Sequence, residues 1–414
     1  YMIHTLSDPK QNAMGNTPLE KAGVEIIVNK VVSMDPKTHT VKLESGQVLS
    51  YERLVLATGT EPVLPPIPGI DKEGVFAIRK SMSAMKMLRD EAHKAKKVAV
   101  IGGGFIGAEF ADELCKNPDV EIDLIEMMPQ LLFAAFDEEF GDEISRILVS
   151  AGITVHFGNR VASINGKQHV ESITLQTGLQ IPVDMVLVSI GARPATQLAQ
   201  EAGLRVVEND SIWVDEYMRT TAADIFAVGD CALKRDFFTR KAAPVWLAST
   251  ATAEARNAGT NIYGIRVLHQ IQGTIGAFST QIGGVSFASA GMTCRTCEKE
   301  GFRYVTATAS APDRHPGVLP GASEMKVKLV FADRSGITLG GQICGGPSAG
   351  ELINMVALAI QKKVTVRELD MMQIATHPLL TPAPTVHPII IAAHSVLAKL
   401  RSTRIQPPGI ERAA

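Results

Sequence analysis

Three glycines and one acid carry the most telling chemistry in this chain. Gly102, Gly104 and Gly107 stand in the spacing G-x-G-x-x-G, and Glu126 follows about 20 residues past the last of them. Gly102 permits a tight turn, Gly104 lets a phosphate approach the backbone, and Gly107 lets a helix pack closely on the strand before it. A helix opening here offers unpaired N–H groups and the positive end of its dipole to an anion. A carboxylate at position 126 accepts both hydroxyls of a ribose and repels a 2′-phosphate. Met127, Met128, Pro129 and Gln130 bring no cation to hold such a phosphate. The pattern points to a pyrophosphate-bridged dinucleotide, with NADH favoured over NADPH, that is NAD over NADP.

A second cluster is Cys294-Arg295-Thr296-Cys297. Thr293 reads as a helix N-cap, which puts both thiols near a first helical turn where the dipole lowers a thiol pKa. That is the setting of a redox dithiol. Two unreactive residues on a surface helix fit the same pattern. Two ligands make only half a metal site, so no metal is expected.

Hydrophobic periodicity supplies the elements that hold these groups. Residues 98–101 read as a buried parallel strand, a helical pattern follows the glycines, and a second strand at 121–125 leads into Glu126. Upstream, 24–29 and 40–43 alternate like antiparallel strands, with turn residues at Asp35-Pro36 and Ser45-Gly46. A short strand at 54–57 runs into Ala57-Thr58-Gly59-Thr60, then a proline-rich connection at 62–69 that is too stiff for helix, then helical periodicity at 81–95. Beyond Glu126 the pattern predicts a helix at 137–150, a strand at 154–157, a hairpin around Gly166 and Gly178, and a buried strand at 183–190. Residues 221–230 read as a strand ending in Gly229-Asp230. An alanine-rich helix at 247–263 is closed by Gly264. From about residue 271 short strands dominate as far as Cys344, and helices at 349–361, 365–371 and 388–400 complete a separate α+β unit.

Composition narrows the function classes. With 414 residues and 45% hydrophobic residues the chain can bury several cores, and two to four domains are expected. Charge is nearly balanced, 41 basic against 43 acidic residues, which does not suggest a nucleic-acid partner. No apolar run reaches the length of a membrane span, and no secretory signal pattern opens the chain. Five cysteines in a chain of this length do not make a disulfide framework. A cytoplasmic location is expected.

Taken together, Ala57-Thr58-Gly59, the 98–126 unit and the segment 221–230 resemble, in order and spacing, the FAD-dependent pyridine nucleotide-disulfide oxidoreductases. Ile190-Gly191-Ala192-Arg193-Pro194 resembles that family's second turn of the Ala-Thr-Gly type. Residues 226–232, 308–320 and 340–345 are similar to the NADH oxidase, NADH peroxidase and coenzyme A-disulfide reductase subgroup. The resemblance implies an α/β fold: two Rossmann-like three-layer domains, one for FAD and one for NAD, plus a C-terminal α+β dimerisation domain. The expected division is 1–97 and 215–270 for the flavin domain, 98–214 for the NAD(H) domain and 271–414 for the interface domain. It also implies a homodimer that passes hydride from NADH through FAD to a disulfide, persulfide, oxygen or peroxide. A rubredoxin- or ferredoxin-type electron-transfer reductase and a non-catalytic NAD/FAD-binding redox regulator are the alternatives.

Carried over residue by residue, the resemblance adds Phe105, Ile106, Glu109 and Gly191 to the NAD contacts of Gly102, Gly104, Gly107 and Glu126. Phe105 matches an aromatic lid over the flavin, and Glu109 the acid near the nicotinamide carboxamide. For FAD it implies Val31 at the adenine, Thr58 and Gly59 near the pyrophosphate and ribityl chain, Gly229 and Asp230 at the ribityl hydroxyls, and Leu247 and Ala248 at the pyrimidine end. His377, in Ala375-Thr376-His377-Pro378, matches an acid/base that reaches the partner subunit's site, with His387 a weaker second choice. The family's own first G-x-G-x-x-G and the redox cysteine after it have no counterpart before Gly102. Roughly 60–80 residues of that flavin segment are therefore expected to lie upstream of this chain. Cys115, Cys231 and Cys344 read as structural.

Overall fold

Lys97–Ile101 becomes the middle strand of a five-stranded parallel sheet, in the order Val75–Ala77, Met185–Val188, Lys97–Ile101, Glu121–Glu126, Thr154–Phe157. The computed structural model describes residues 3–6, 8–12, 15–207, 210–268 and 270–404. Val98, Ala99 and Val100 are fully buried, as a parallel strand covered on both faces must be. Helices Met82–Ala92, Phe105–Leu114 and Glu138–Ser150 cover one face, and their Leu88, Leu114, Phe140 and Ile144 share a core with Val98 and Leu124. On the other face lies an antiparallel meander, Val161–Asn165, Ser172–Leu175 and Gln180–Pro182, which packs Ile164, Ile173 and Leu175 against Ala99 and Val186. The expected hairpin thus gains a third strand.

The C-terminal unit is a five-stranded antiparallel sheet, ordered Phe278–Ile282, Val285–Gly291, Thr338–Gly345, Glu324–Ala332, Tyr304–Pro312. Helices Ala349–Gln361 and Pro388–Arg404 bury Ile353, Val356, Ile389 and Val396 on this sheet. Ile282, Phe287 and Cys344 instead join the core of the parallel domain beside Phe136 and Phe140. The C-terminal unit thus keeps its own core and also extends that of the parallel domain.

In the remaining region Ile225–Ala227 pairs in parallel with Leu54–Leu56. Val31–Asp35, Thr40–Leu43 and Val48–Ser50 form an antiparallel sheet, and Thr60–Pro62 pairs with Ala192–Pro194 as the link to the parallel domain. The strand expected at 24–29 does not form. Val28 is 93% exposed, and pairing begins only where Val31 meets Leu43. Alternation alone does not make a strand when no neighbour completes the ladder. Among the described residues, no helix is long and apolar enough to cross a membrane.

Candidate functional site

The glycine turn has the geometry that its spacing predicts. Gly102 adopts φ +106, and a Cβ there would lie 2.7 Å from the Ser189 carbonyl oxygen. The Ser189 hydroxyl closes the same corner by donating to the carbonyls of Ile101 and Gly102, each at 3.0 Å. A Cβ on Gly107 would lie 1.9 Å from the Gly102 oxygen, so only glycine lets the helix Phe105–Leu114 sit this close to its strand. Gly104, the N-cap of that helix, is exposed and has no atom within 4 Å of an added Cβ. An open backbone at a helix N-terminus is where an anion fits.

Glu126 ends its strand beside this turn and is 8% exposed. The Gly103 N–H donates to Glu126 Oε2 at 2.6 Å, and the Met128 N–H donates to Oε1 at 2.7 Å. The carboxylate therefore fastens the glycine turn to the loop that follows the strand. Each oxygen keeps further lone pairs for ribose hydroxyls. Gly103, which the motif leaves unspecified, is constrained too: a Cβ would lie 2.4 Å from Leu131 Cδ2.

The other dinucleotide candidates divide. Ile106 is 49% exposed beside Gly104. Gly191 is open, with φ +112 and no atom within 4 Å of an added Cβ. Phe105 is half-buried and stacks on Phe278, with ring centroids 5.0 Å apart and planes at 20°. That is packing at a helix start, which the lid role would have to release. Glu109, one turn on, accepts from the Thr280 hydroxyl at 2.6 Å.

On the flavin side, Val31 and Thr58 line one cleft of about 970 Å³ with Leu54, Ala57 and Arg193. Thr58 also donates to the Ala195 carbonyl at 2.6 Å. Asp230 stands just past the C-terminal end of the parallel pair, where α/β sheets bind ligands. Its Oδ2 accepts from Lys80 at 2.6 Å and from the Thr60 hydroxyl at 3.3 Å. Gly59 and Gly229 adopt φ +70 and +72, and nothing lies within 4 Å of a Cβ on Gly59. Leu247 is the N-cap of Ala248–Asn261 and makes no side-chain cap, which leaves the first amides of that helix to a ligand. An open left-handed turn, a carboxylate and an uncapped helix end fit the ribityl and ring end of FAD.

Beneath Asp230 lies a buried pair that sequence reasoning missed. Lys234 and Glu254 are 3.0 Å apart, with both side chains 2% exposed. Lys234 donates to the carbonyls of Gly229 and Ala232, and the Gly229 N–H donates to Glu254 Oε2 at 2.8 Å. Burial lifts the Glu254 carboxyl above its usual range, against the pull of Lys234. Nothing local marks Glu254 in an alanine-rich helix. Lys80, 150 residues from Asp230, carried no signal either.

The surroundings of the two cysteines fit the unreactive reading rather than the dithiol. Thr293 does cap the helix Cys294–Glu300, accepting from the Thr296 N–H at 3.1 Å. The thiols move the other way from the dipole expectation. Burial and the Asp137 carboxylate push Cys294 up to about 11. Cys297 is not on the surface but fully buried, and burial pushes it up to about 12. Cys344, with Glu143 beside it, is likewise raised to about 12, by burial first. Iodoacetamide at pH 8 should therefore label Cys294 on the order of 100-fold more slowly than a free cysteine, with Cys297 and Cys344 unlabelled in the folded protein. Peptide mass spectrometry reads this directly, and rapid labelling of both Cys294 and Cys297 would restore the dithiol.

His377 is exposed, and its hydrogen bonds are local: its N–H donates to the Thr381 hydroxyl at 3.0 Å, and its Nδ1 accepts from the Leu379 N–H at 3.2 Å. His387 is 5% exposed, and burial lowers its pKa.

Two family models match this chain. One, described as pyridine nucleotide-disulphide oxidoreductase, covers residues 3–258, and its dimerisation-domain companion covers residues 277–387. An NADH oxidase of Methanocaldococcus jannaschii is 33% identical over 377 residues, 89% of this chain and 82% of that protein. A solved NAD-dependent persulfide reductase from A. fulgidus has a TM-score of 0.89 at 28% identity, covering 100% of this chain and 77% of the other. A water-forming NADH oxidase from Lactobacillus brevis, solved with NADH, has a TM-score of 0.89 at 26% identity, covering 98% and 89% of the two chains.

Proposed function

The chain belongs to the FAD-dependent pyridine nucleotide-disulphide oxidoreductases, and on that premise we propose that it oxidises NADH to reduce a small persulfide or disulfide, with oxygen as the competing acceptor. The balance is simple for a disulfide: NADH, a proton and the disulfide give NAD⁺ and two thiols. FAD, when bound, supplies the two-electron relay between nicotinamide and acceptor. Relatives named for NADH oxidation and for persulfide reduction support this acceptor range.

The observation that carries the NADH half is Glu126, fixed by two backbone amides beside the open Gly104. In this reading the amides at the start of the helix Phe105–Leu114 bind the pyrophosphate, and Ile106 and Gly191 border the bound dinucleotide. Glu109 exchanges Thr280 for the nicotinamide carboxamide. Phe105 leaves Phe278 when nicotinamide enters. FAD would be held by Asp230, which would accept from a ribityl hydroxyl in place of Lys80, by Thr58, Gly59 and Gly229 beside it, by Val31 and by the helix end at Leu247 and Ala248. None of the five cysteines is taken as the nucleophile. His377 is proposed to protonate a leaving thiolate in the partner's site, a task suited to imidazole near neutral pH.

We further propose a homodimer working in the cytoplasm, with the division at 97/98, 214/215 and 270/271. Val318, Met371 and Leu380 of the C-terminal unit are 89%, 79% and 71% exposed, which supports a covering second copy.

Steady-state and stopped-flow kinetics test the reading. A 2′-phosphate beside the Glu126 carboxylate, with no cation to receive it, should make NADPH about 100-fold poorer than NADH in kcat/KM. Added persulfide should speed NADH oxidation over air alone. Equal use of NADPH would overturn the role of Glu126, and indifference to persulfides and disulfides would overturn the acceptor.

A further inference from the structure

Arg295 lies between the two cysteines and reaches the loop that follows Glu126. Its Nη1 donates to the Phe133 carbonyl at 2.6 Å and more weakly to that of Phe136 at 3.5 Å, and its Nη2 donates to Gln130 Oε1 at 3.1 Å. The guanidinium carbon lies 3.6 Å from the centroid of the Phe133 ring. A planar, always-charged fork stacked on an aromatic ring is a precise clamp, and lysine cannot reproduce it.

The clamped segment is the loop that follows Glu126. Gln130 is buried and donates to the Phe136 carbonyl at 3.0 Å. The Leu132 N–H donates to the Gly103 carbonyl at 2.9 Å. Gly103 in turn donates to Glu126, which also holds the Met128 N–H. A continuous set of contacts therefore runs from Arg295 of the C-terminal unit, through 130–133, to the carbonyl and the N–H of Gly103 and so to Glu126. A second tie supports the far end of the loop: Asp137 accepts from Lys328 at 2.9 Å, from Gln342 at 2.7 Å and from the Cys294 N–H at 3.2 Å.

We propose that Arg295 is a positioning residue for NADH binding, by which the C-terminal unit preorganises the adenosine-ribose half of the dinucleotide site. This rests on the reading of Gly102–Gly107 and Glu126 as that site. Arg295 meets no reacting atom. It holds a loop whose loosening frees the glycine turn, so its loss should weaken what the turn binds and leave the nicotinamide end alone.

The test uses the full chain and two variants, Arg295→Ala and Arg295→Lys. ADP-ribose binding by calorimetry, which needs no turnover, should weaken about tenfold in both. KM for NADH should rise by the same factor with kcat at saturation unchanged, and inhibition by nicotinamide mononucleotide should keep its constant. Arg295→Lys retains the charge and most of the stem, so it carries the test if Arg295→Ala fails to fold. Unaltered ADP-ribose affinity in Arg295→Lys overturns the proposal. So does equal weakening of ADP-ribose and nicotinamide mononucleotide, which marks a general loss of structure. Failure of the wild-type protein to bind ADP-ribose or NADH would overturn the reading of the site itself.

Discussion

Gly104→Val is expected to fold like the wild type and to lose about 100-fold in NADH affinity, or roughly 2.7 kcal/mol. The backbone at Gly104 has φ −73 and ψ −173, which any residue adopts, and an added Cβ meets no atom within 4 Å. The folded protein alone gives no reason for glycine here. Valine is a poorer N-cap, at a cost of about 1 kcal/mol or less. Its side chain would fill the space over the helix N-terminus that the pyrophosphate is proposed to occupy. Gly107→Ala makes the contrast. There a Cβ would lie 1.9 Å from the Gly102 carbonyl oxygen and 2.8 Å from Ser189 Oγ. The helix must shift off its strand, so stability should fall by about 1–3 kcal/mol along with NADH binding. Fluorescence titration with NADH and thermal unfolding of both variants separate the two kinds of glycine. Wild-type NADH affinity in Gly104→Val would mean that this turn does not cradle a pyrophosphate.

What was legible in the sequence follows from how local each feature is. The turn at Gly102, the close packing at Gly107 and the end of the second strand at Glu126 are set within 30 residues by sterics and by strand and helix periods. Gly103 escapes notice because its constraint comes from Leu131, on a loop that folds back over it. The alternation at 24–29 mimics a strand because period two is a property of the segment, whereas a strand also needs a partner. The dithiol alternative at the cysteine pair arises for a related reason. Thr293 and the helix start are local, and both are present. The Asp137 carboxylate that helps raise Cys294 comes from a segment more than 150 residues away, and Cys297 is buried by Met292, Val330 and Leu339, which only the folded C-terminal sheet brings together. Arg295 was invisible because its partners at 130, 133 and 136 are equally distant. Motif spacing finds what a segment does by itself, and here the C-terminal unit's work on the dinucleotide site is all at long range.

The largest effect on stability is expected beneath Asp230. Lys234→Met leaves Glu254 buried without its cation, and the cost should be about 3–5 kcal/mol. That corresponds to roughly 10 °C in the first thermal transition. The sign of the pH dependence follows from the same burial. Glu254 already has a raised folded pKa, and removing Lys234 raises it further. A carboxyl with a folded pKa above its unfolded value favours folding below the unfolded pKa, and that advantage is lost as pH rises through the folded one. The deficit of Lys234→Met against the wild type should therefore shrink in acid and widen toward neutral pH. The double variant Lys234→Met/Glu254→Gln removes both charges and keeps an acceptor for the Gly229 N–H. It should recover most of the loss, leaving about 1–2 kcal/mol for the carbonyls of Gly229 and Ala232 that no longer accept a hydrogen bond. Urea unfolding at pH 5 and pH 8 of the wild type and the three variants, Glu254→Gln included, checks each sign. If Lys234→Met is as stable as the wild type at pH 8, the pair is not a closed ionic clamp, and the Gly229–Asp230 turn must be held by its neighbours at Thr60 and Lys80 instead.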